Sequence, residues 1–300
     1  MILFCAQGQG ATFMTTVKLN VLAGDGEKIT VLFNTEDSLP IKCVVIIIHG
    51  FGEHAGSYTE LIERLAQSGC ASAIFNLRGH GMPPPTDGEK DKRGIIPSYK
   101  RFLDDIDDVT AAVKQRMPSI PVALYGHSMG GNIAANYLIR RGQSAFFCAV
   151  LEAPWLGLYK EVNPAVTWLA KLIGRFSPNI AIFNKLPPDE VTGDAQKAEA
   201  MKNDPLYHNR ISLRLFASIV DGCKYALANT AKLTLPTLVA YAGRDRIVSN
   251  KAIGQFIAAA GENVTKKEYD SCHAIHNDMQ RETYFQDVIN FLEANIPGGE

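Results

Sequence analysis

The order of apolar segments predicts an α/β fold: a mostly parallel central sheet flanked by helices, interrupted once by a helical or irregular insertion. Continuous Val- and Ile-rich runs alternate with segments of helical period, and the connections between them are short. A run that is apolar on both faces marks a strand buried inside a parallel sheet, and parallel neighbours need a crossover helix between them. The alternation stops after Pro154 and returns at Leu233. Residues 14–154 and 233–297 are therefore read as two parts of one core, and 155–232 as an insertion into it.

Each element has its own signal. "TTVKLNVLAGDGEKITVLFNTE" alternates apolar and polar residues on either side of Asp25-Gly26, the pattern of an antiparallel hairpin. "KCVVIIIHGFG" is a buried strand, and "SYTELIERLAQSG" spaces Tyr58, Leu61, Ile62 and Leu65 along one helical face. "CASAIFNLRGHG" is a second buried strand ending in a glycine loop. Ser98 stands as N-cap to a helix whose inner face is Phe102, Leu103, Ile106, Val109 and Val113. "PVALYG" is a strand, 129–141 a helix and "FFCAVLEAP" a strand. After an insertion that is helical or irregular, with no strand expected, "LTLPTLVAYAGRD", "NKAIGQFIAAAG", "VTKKEYD" and "ETYFQDVINFLEAN" restore strand, helix, strand and helix.

Composition narrows the classes of function. The chain has 300 residues, 46% hydrophobic and 20% charged, enough for a sizeable core. A net charge of -1 with both signs interspersed offers no basic face, so no nucleic-acid partner is expected. The six cysteines (Cys5, Cys43, Cys70, Cys148, Cys223, Cys272) show no paired spacing and read as reduced, structural thiols, which favours a cytoplasmic protein. "MILFCAQGQG" lacks the cationic start and long apolar run of a signal peptide, and the opening residues to about Thr12 are expected to be disordered. No apolar stretch is long enough to span a membrane. Nothing in the sequence fixes an oligomeric state.

Ligands of an open α/β sheet bind at the carboxyl ends of its strands, and the chemistry-bearing residues of this chain fall there. "VALYGHSMGGN" places Ser128 between Gly126 and Gly130 at a strand-to-helix corner, a G-x-S-x-G pattern. The tight turn requires the glycines, exposes the Ser128 hydroxyl and leaves the Met129 N–H free for a developing oxyanion. A serine hydroxyl is a weak nucleophile without a base. "AYAGRDRIV" sets Asp245 after one later strand and "YDSCHAIHND" sets His273 after the next, the chain order Ser, Asp, His. His276 is the competing base, and Asp270 and Asp278 are competing carboxylates; position at a strand end favours His273 and Asp245. The second oxyanion donor is the Phe51 N–H in "HGFG". His49, His54, His80 and His127 read as residues that hold loop backbone, and His208 carries no assigned role. No metal or organic cofactor is required by this set.

With those residues stated, the chain resembles the α/β-hydrolase superfamily, and within it the monoglyceride lipase and lysophospholipase-like serine hydrolases. "HGFGEHAGSY", "RGHG" at 78–81, "GHSMGG", "NDPLYHNRISLR", "GRDRIV" and "CHAIHND" are similar to successive signatures of that group, spread over nearly the whole chain. Three positions depart from it. Asn76 replaces an Asp, Met82 and three prolines follow the R-G-H-G loop, and Ala274 replaces the Glu that often follows the histidine. The resemblance implies the α/β-hydrolase fold, with residues 155–232 as a cap above the serine.

Within the cap, "NPAVTWLAKLIGRFSP" spaces Val166, Leu169, Leu172, Ile173 and Phe176 along a helix. Trp155, Leu172, Ile173 and Phe176 are the expected acyl-chain contacts, and the apolar cap is a candidate for transient contact with a membrane interface. The expected reaction is hydrolysis of a monoacyl lipid ester, a monoacylglycerol or lysophospholipid. Two rivals share the scaffold: a short-chain carboxylesterase or peptidase, and a receptor that binds small ligands without turnover. An aspartate nucleophile is excluded because position 128 is Ser.

Overall fold

A computed structural model describes residues 14–184 and 186–298; the expectations for the opening residues, Cys5 included, lie outside it. The first half of the core runs β1 (Met14–Leu22), β2 (Lys28–Glu36), β3 (Cys43–Ile48), α1 (Thr59–Gln67), β4 (Cys70–Phe75), α2 (Tyr99–Arg116), β5 (Val122–His127), α3 (Met129–Arg141) and β6 (Cys148–Glu152). The insertion contributes α4 (Pro164–Phe176), β7 (Ala181–Phe183), α5 (Pro188–Val191), α6 (Ala195–Asn203), β8 (Arg210–Ser212) and α7 (Leu213–Asn229). The core resumes with β9 (Thr237–Ala242), α8 (Asn250–Ala260), β10 (Val264–Tyr269) and α9 (Arg281–Asn295).

Eight strands form one sheet in the order β1-β2-β4-β3-β5-β6-β9-β10. β2 is antiparallel to β1 and to β4, and from β4 onward every pair is parallel. β3, β4 and β5 are buried at every residue, which is why their sequences do not alternate. The pleat still sorts their side chains. Val44, Ile46 and Ile48 of β3 pack with α2, α3 and α8 on one face, while Cys43, Val45 and Ile47 pack with α1 and α9 on the other. At the far edge, β10 presents Lys266 and Lys267 to solvent, charges that discourage strand-on-strand association.

The insertion departs from expectation in two ways. β7 and β8 pair antiparallel, Ala181 with Ser212 and Phe183 with Arg210, where no strand was expected. Each is only three residues long and its partner lies far along the chain, so neither a period-two run nor a turn signal marks it in the sequence. The second departure is the direction of the α4 stripe. The helix begins normally, with the Asn163 side chain accepting the Ala165 N–H at 2.9 Å and Pro164 in its first turn. It then buries Ala170 and Gly174, and a Cβ at Gly174 would come within 2.7 Å of the Arg214 nitrogen. The small residues make the close helix contact, while Val166, Trp168, Leu169, Leu172 and Phe176 face outward. α7, by contrast, buries Leu215, Ile219 and Cys223 in the core beside α3.

A close approach in the core lies between α3 and β3, where a Cβ at Gly130 would sit 2.1 Å from the Ile48 carbonyl oxygen. Gly130→Ala is therefore expected to lower stability by about 2–3 kcal/mol, read from urea titration. A change below about 0.5 kcal/mol would mean that the helix does not lie this close to the strand.

Candidate active site

Ser128 joins the last residue of β5 to the first of α3 in a conformation few residues adopt, φ 52° and ψ -114°. The turn is held from outside itself. The Ser128 N–H donates to the Glu152 carbonyl at 2.9 Å, and the Ser128 carbonyl accepts from Asn132 and Trp155. Gly126 and Gly130 pass so close that a Cβ on Gly126 would lie 2.5 Å from the Gly130 oxygen. Strain of this kind persists only where neighbours over-determine it. The outcome is a hydroxyl at the carboxyl end of the sheet, at the mouth of α3.

Two later loops meet that hydroxyl. The His273 Nε2 lies 2.8 Å from Ser128 Oγ, and its Nδ1 lies 2.7 Å from Asp245 Oδ2. All three residues are buried. Asp245 is itself fixed, since its Oδ1 accepts the N–H groups of Ile247 (2.8 Å) and Val248 (2.9 Å). The competing residues are engaged elsewhere. His276 turns its Nδ1 to Glu152, Asp270 pairs with Arg244 at the surface, and Asp278 accepts the Cys272 N–H and the Ser271 hydroxyl within its own loop. Burial favours an uncharged ring at His273, but Asp245, then Glu53 and Glu152, outweigh it and lift the imidazole above its ordinary value. The reciprocal holds for Asp245. Burial favours the neutral acid, and the His273 ring beside it outweighs that and keeps the carboxyl below the usual range.

Phe51 follows β3 in the loop that faces the serine, and Met129 opens α3. Among the described residues neither amide N–H has an acceptor, so both remain available to a ligand. The loop is pinned on two sides. The Gly50 N–H donates to Glu53 Oε2 at 2.7 Å, and the Gly52 carbonyl accepts the His208 N–H at 3.0 Å. His49 donates from Nδ1 to the Gly50 carbonyl and accepts the Leu77 N–H at Nε2. Burial holds it neutral at about 4. His80 and His208 likewise donate to backbone carbonyls, of Arg78 and Gly79. His54 spans Gly56 and Asp204. His127 is different: its Nδ1 meets the Glu53 carboxylate (3.2 Å) and the Tyr58 hydroxyl (3.1 Å) rather than backbone.

A narrow pocket of about 30 Å³ opens onto Ser128 and His273. Its apolar lining is Phe51, Trp155, Leu158, Leu186, Val191 and Ile247; its polar lining includes Glu53, Asn184 and Tyr207. Of the four residues expected to contact an acyl chain, Trp155 lines this pocket. Leu172, Ile173 and Phe176 do not line it: on α4, Leu172 and Phe176 are exposed and Ile173 is half-buried. Leu158, Leu186, Val191 and Ile247 carry no sequence signal for this role, being single apolar residues in irregular segments or loops. Tyr207 had one, its place in the "NDPLYHNR" segment. Glu53, His127 and His276 each bring a metal-competent atom within 4.8 Å of the others, but the Glu53 carboxylate and His276 Nδ1 are already committed to hydrogen bonds. The trio reads as a polar network rather than a cation site.

Comparison with known proteins places the chain in a family. Residues 40–280 match the family described as Hydrolase_4, Serine aminopeptidase, S33. Phospholipase YtpA of Bacillus subtilis (strain 168) is 31% identical over 256 residues, which cover 84% of this chain and 96% of that protein. An abhydrolase domain-containing protein of Dictyostelium discoideum is 27% identical over 94% of this chain, and the chain spans only 30% of that relative's length. The crystal structure of Paleococcus ferrophilus monoacylglycerol lipase superposes with a TM-score of 0.79 at 25% identity, covering 89% of this chain and 98% of that one. With a strand–serine–helix corner central in a mostly parallel sheet and a family match across most of its length, the chain belongs to the Hydrolase_4 family of the α/β-hydrolases.

Proposed function

We propose that the protein is a serine ester hydrolase that cleaves monoacyl lipids, monoacylglycerols or lysophospholipids, through an acyl-enzyme. One observation carries the proposal: the unbroken hydrogen-bonded line from Asp245 through His273 to Ser128, opening into a pocket lined mainly by apolar side chains. His273 Nε2 takes the proton as Ser128 Oγ attacks the ester carbonyl. Asp245 keeps the ring in the tautomer that presents a lone pair to the serine and stabilises the imidazolium. The amides of Phe51 and Met129 receive the oxyanion. The alcohol departs with the proton from His273, and water repeats the sequence on the acyl group. Trp155, Leu158, Leu186, Val191 and Ile247 suit an alkyl chain, while Asn184 and Tyr207 suit a hydroxylated head group. The names of the Bacillus and Paleococcus proteins support the same substrate class.

The insertion adds a means of reaching such substrates. Trp168, Phe176 and Phe183 are 64%, 75% and 70% exposed, and together with Val166, Ile180 and Ile182 they present apolar residues outward from the cap. Among the described residues no helix is long and apolar enough to cross a membrane. The exposed face of α4 and β7 is instead suited to rest in the interface of a lipid aggregate, where its substrates gather.

Three outcomes are expected. Ser128→Ala reduces hydrolysis of monoacylglycerols and lysophospholipids by a factor on the order of 10⁴ or more, measured beside wild type on a panel that includes aminoacyl and short-chain esters. Equal turnover by both proteins, or cleavage confined to aminoacyl substrates, would overturn the proposal. The value of kcat/KM falls as pH drops, because protonation removes the His273 base, and the midpoint of that acid limb lies above about 6.5. A midpoint below 6 would contradict the electrostatics of the site. Trp168→Ser with Phe183→Ser weakens binding to phosphatidylcholine vesicles by about tenfold or more, with the rate on a water-soluble ester unchanged. Undiminished vesicle binding would remove α4 and β7 as the docking face.

A further inference from the structure

Below the reactive line lies a second buried carboxylate that the mechanism does not use. Glu152 is the last residue of β6 and has no exposed surface. Its backbone carbonyl receives the Ser128 N–H at 2.9 Å, so it is already part of the serine turn. Its side chain reaches the other way. Oε1 accepts both the His276 backbone N–H and the His276 Nδ1–H, each at 2.9 Å, and Oε2 accepts the Tyr125 hydroxyl. The Tyr125 oxygen accepts in turn from Tyr284 at 3.1 Å. The His276 ring lies flat on Tyr58, with centroids 4.5 Å apart and planes 12° apart, and meets the edge of His127 at 4.8 Å. His276 stands three residues after His273 in the same loop.

Burying an ionised carboxylate where an aliphatic side chain would fill the space is unfavourable unless every oxygen is met. Here both oxygens are met, and what they hold is the loop that carries His273. We propose that Glu152 is a positioning residue: acting through His276, it ties the 272–278 loop to the end of β6, whose last carbonyl holds the Ser128 turn, and so fixes the His273 imidazole within reach of the hydroxyl. The inference rests on the acyl-transfer reading of the site, in which the distance between His273 and Ser128 governs the rate. The groups facing His276 are Glu152 and His127 from the strand ends, Glu53 and Tyr58 from the oxyanion loop and its continuation, and His273 from its own loop. Burial favours the neutral ring at 276, but Glu152, then Glu53, outweigh it and lift the imidazole above its ordinary value. The same pairing holds Glu152 ionised against its own burial.

The test combines kinetics with a readout that needs no turnover. Glu152→Leu fills the space but removes the acceptors, and is expected to lower kcat on a monoacylglycerol by about 10–100-fold with KM within about threefold. Glu152→Gln keeps a carbonyl acceptor and recovers most of that loss. Combining either change with His276→Asn costs no more than the worse single change, because the two act as a unit. A folded Glu152→Leu protein with wild-type kcat, or single effects that multiply in the double variant, would overturn the proposal. If Glu152→Leu fails to fold, the Glu152→Gln and His276→Asn cycle decides alone. Imidazole NMR titration of His276 is then followed in wild type and Glu152→Gln, with its pKa expected to drop in the variant. Unaltered titration removes the tether whatever esters are cleaved. A drop in pKa with a wild-type protein inert toward every ester and toward a fluorophosphonate would instead overturn the hydrolase reading and leave the tether standing.

Discussion

The strained turn at Ser128 is the constraint from which the rest of the site follows. Its dihedral angles are unfavourable for any side-chain-bearing residue, and they survive because β5, β3 and α3 crowd around it without intervening side chains. That crowding has two effects. It holds the hydroxyl clear of the sheet, and it starts α3 immediately afterwards, so that the unpaired Met129 amide follows directly on the Ser128 hydroxyl. The helix itself is buried along nearly its whole length, which leaves the turn no slack through which to relax.

Around this fixed point the protein gathers more buried charge than a stable core alone would call for. Asp245, Glu53 and Glu152 all lie within the same polar region, and each is met by a histidine or by hydroxyl and amide donors. Isolated, any of them would take up a proton rather than remain charged away from water. Together they raise the basicity of His273, which strengthens the imidazole as a proton acceptor but moves its working range toward higher pH. Basicity and availability at low pH are thus traded against each other by the same three carboxylates.

Much of this was legible in the sequence because the relevant signals are local. A glycine-flanked serine after a Val/Ala/Leu run, and an acid and a histidine each just beyond a later strand, are patterns contained in a few residues apiece. The sheet was legible for the same reason, since burial on both faces writes itself as an uninterrupted apolar run. The insertion was not. The amphipathic stripe of α4 was visible, but whether it turns inward or outward depends on Ala170 and Gly174 meeting α7, a contact between segments more than thirty residues apart. The pairing of β7 with β8 is equally non-local. Pocket-lining residues such as Leu158, Leu186 and Ile247 are ordinary apolar residues whose role comes only from where the chain happens to pass.

The attachment of the oxyanion loop to the far end of the insertion bears on how such enzymes can be remodelled. Gly52 leaves no room for a Cβ because the carbonyl of His208 stands 2.1 Å from where it would be, and the same two residues share a backbone hydrogen bond. His208 reaches on to the Gly79 carbonyl, and its neighbour Tyr207 touches Glu53. The returning arm of the insertion is therefore scaffolding for the loop that carries Phe51, not an exchangeable module. A chimera that swaps lids between relatives must splice upstream of residue 204 or forfeit the architecture that aims the Phe51 amide.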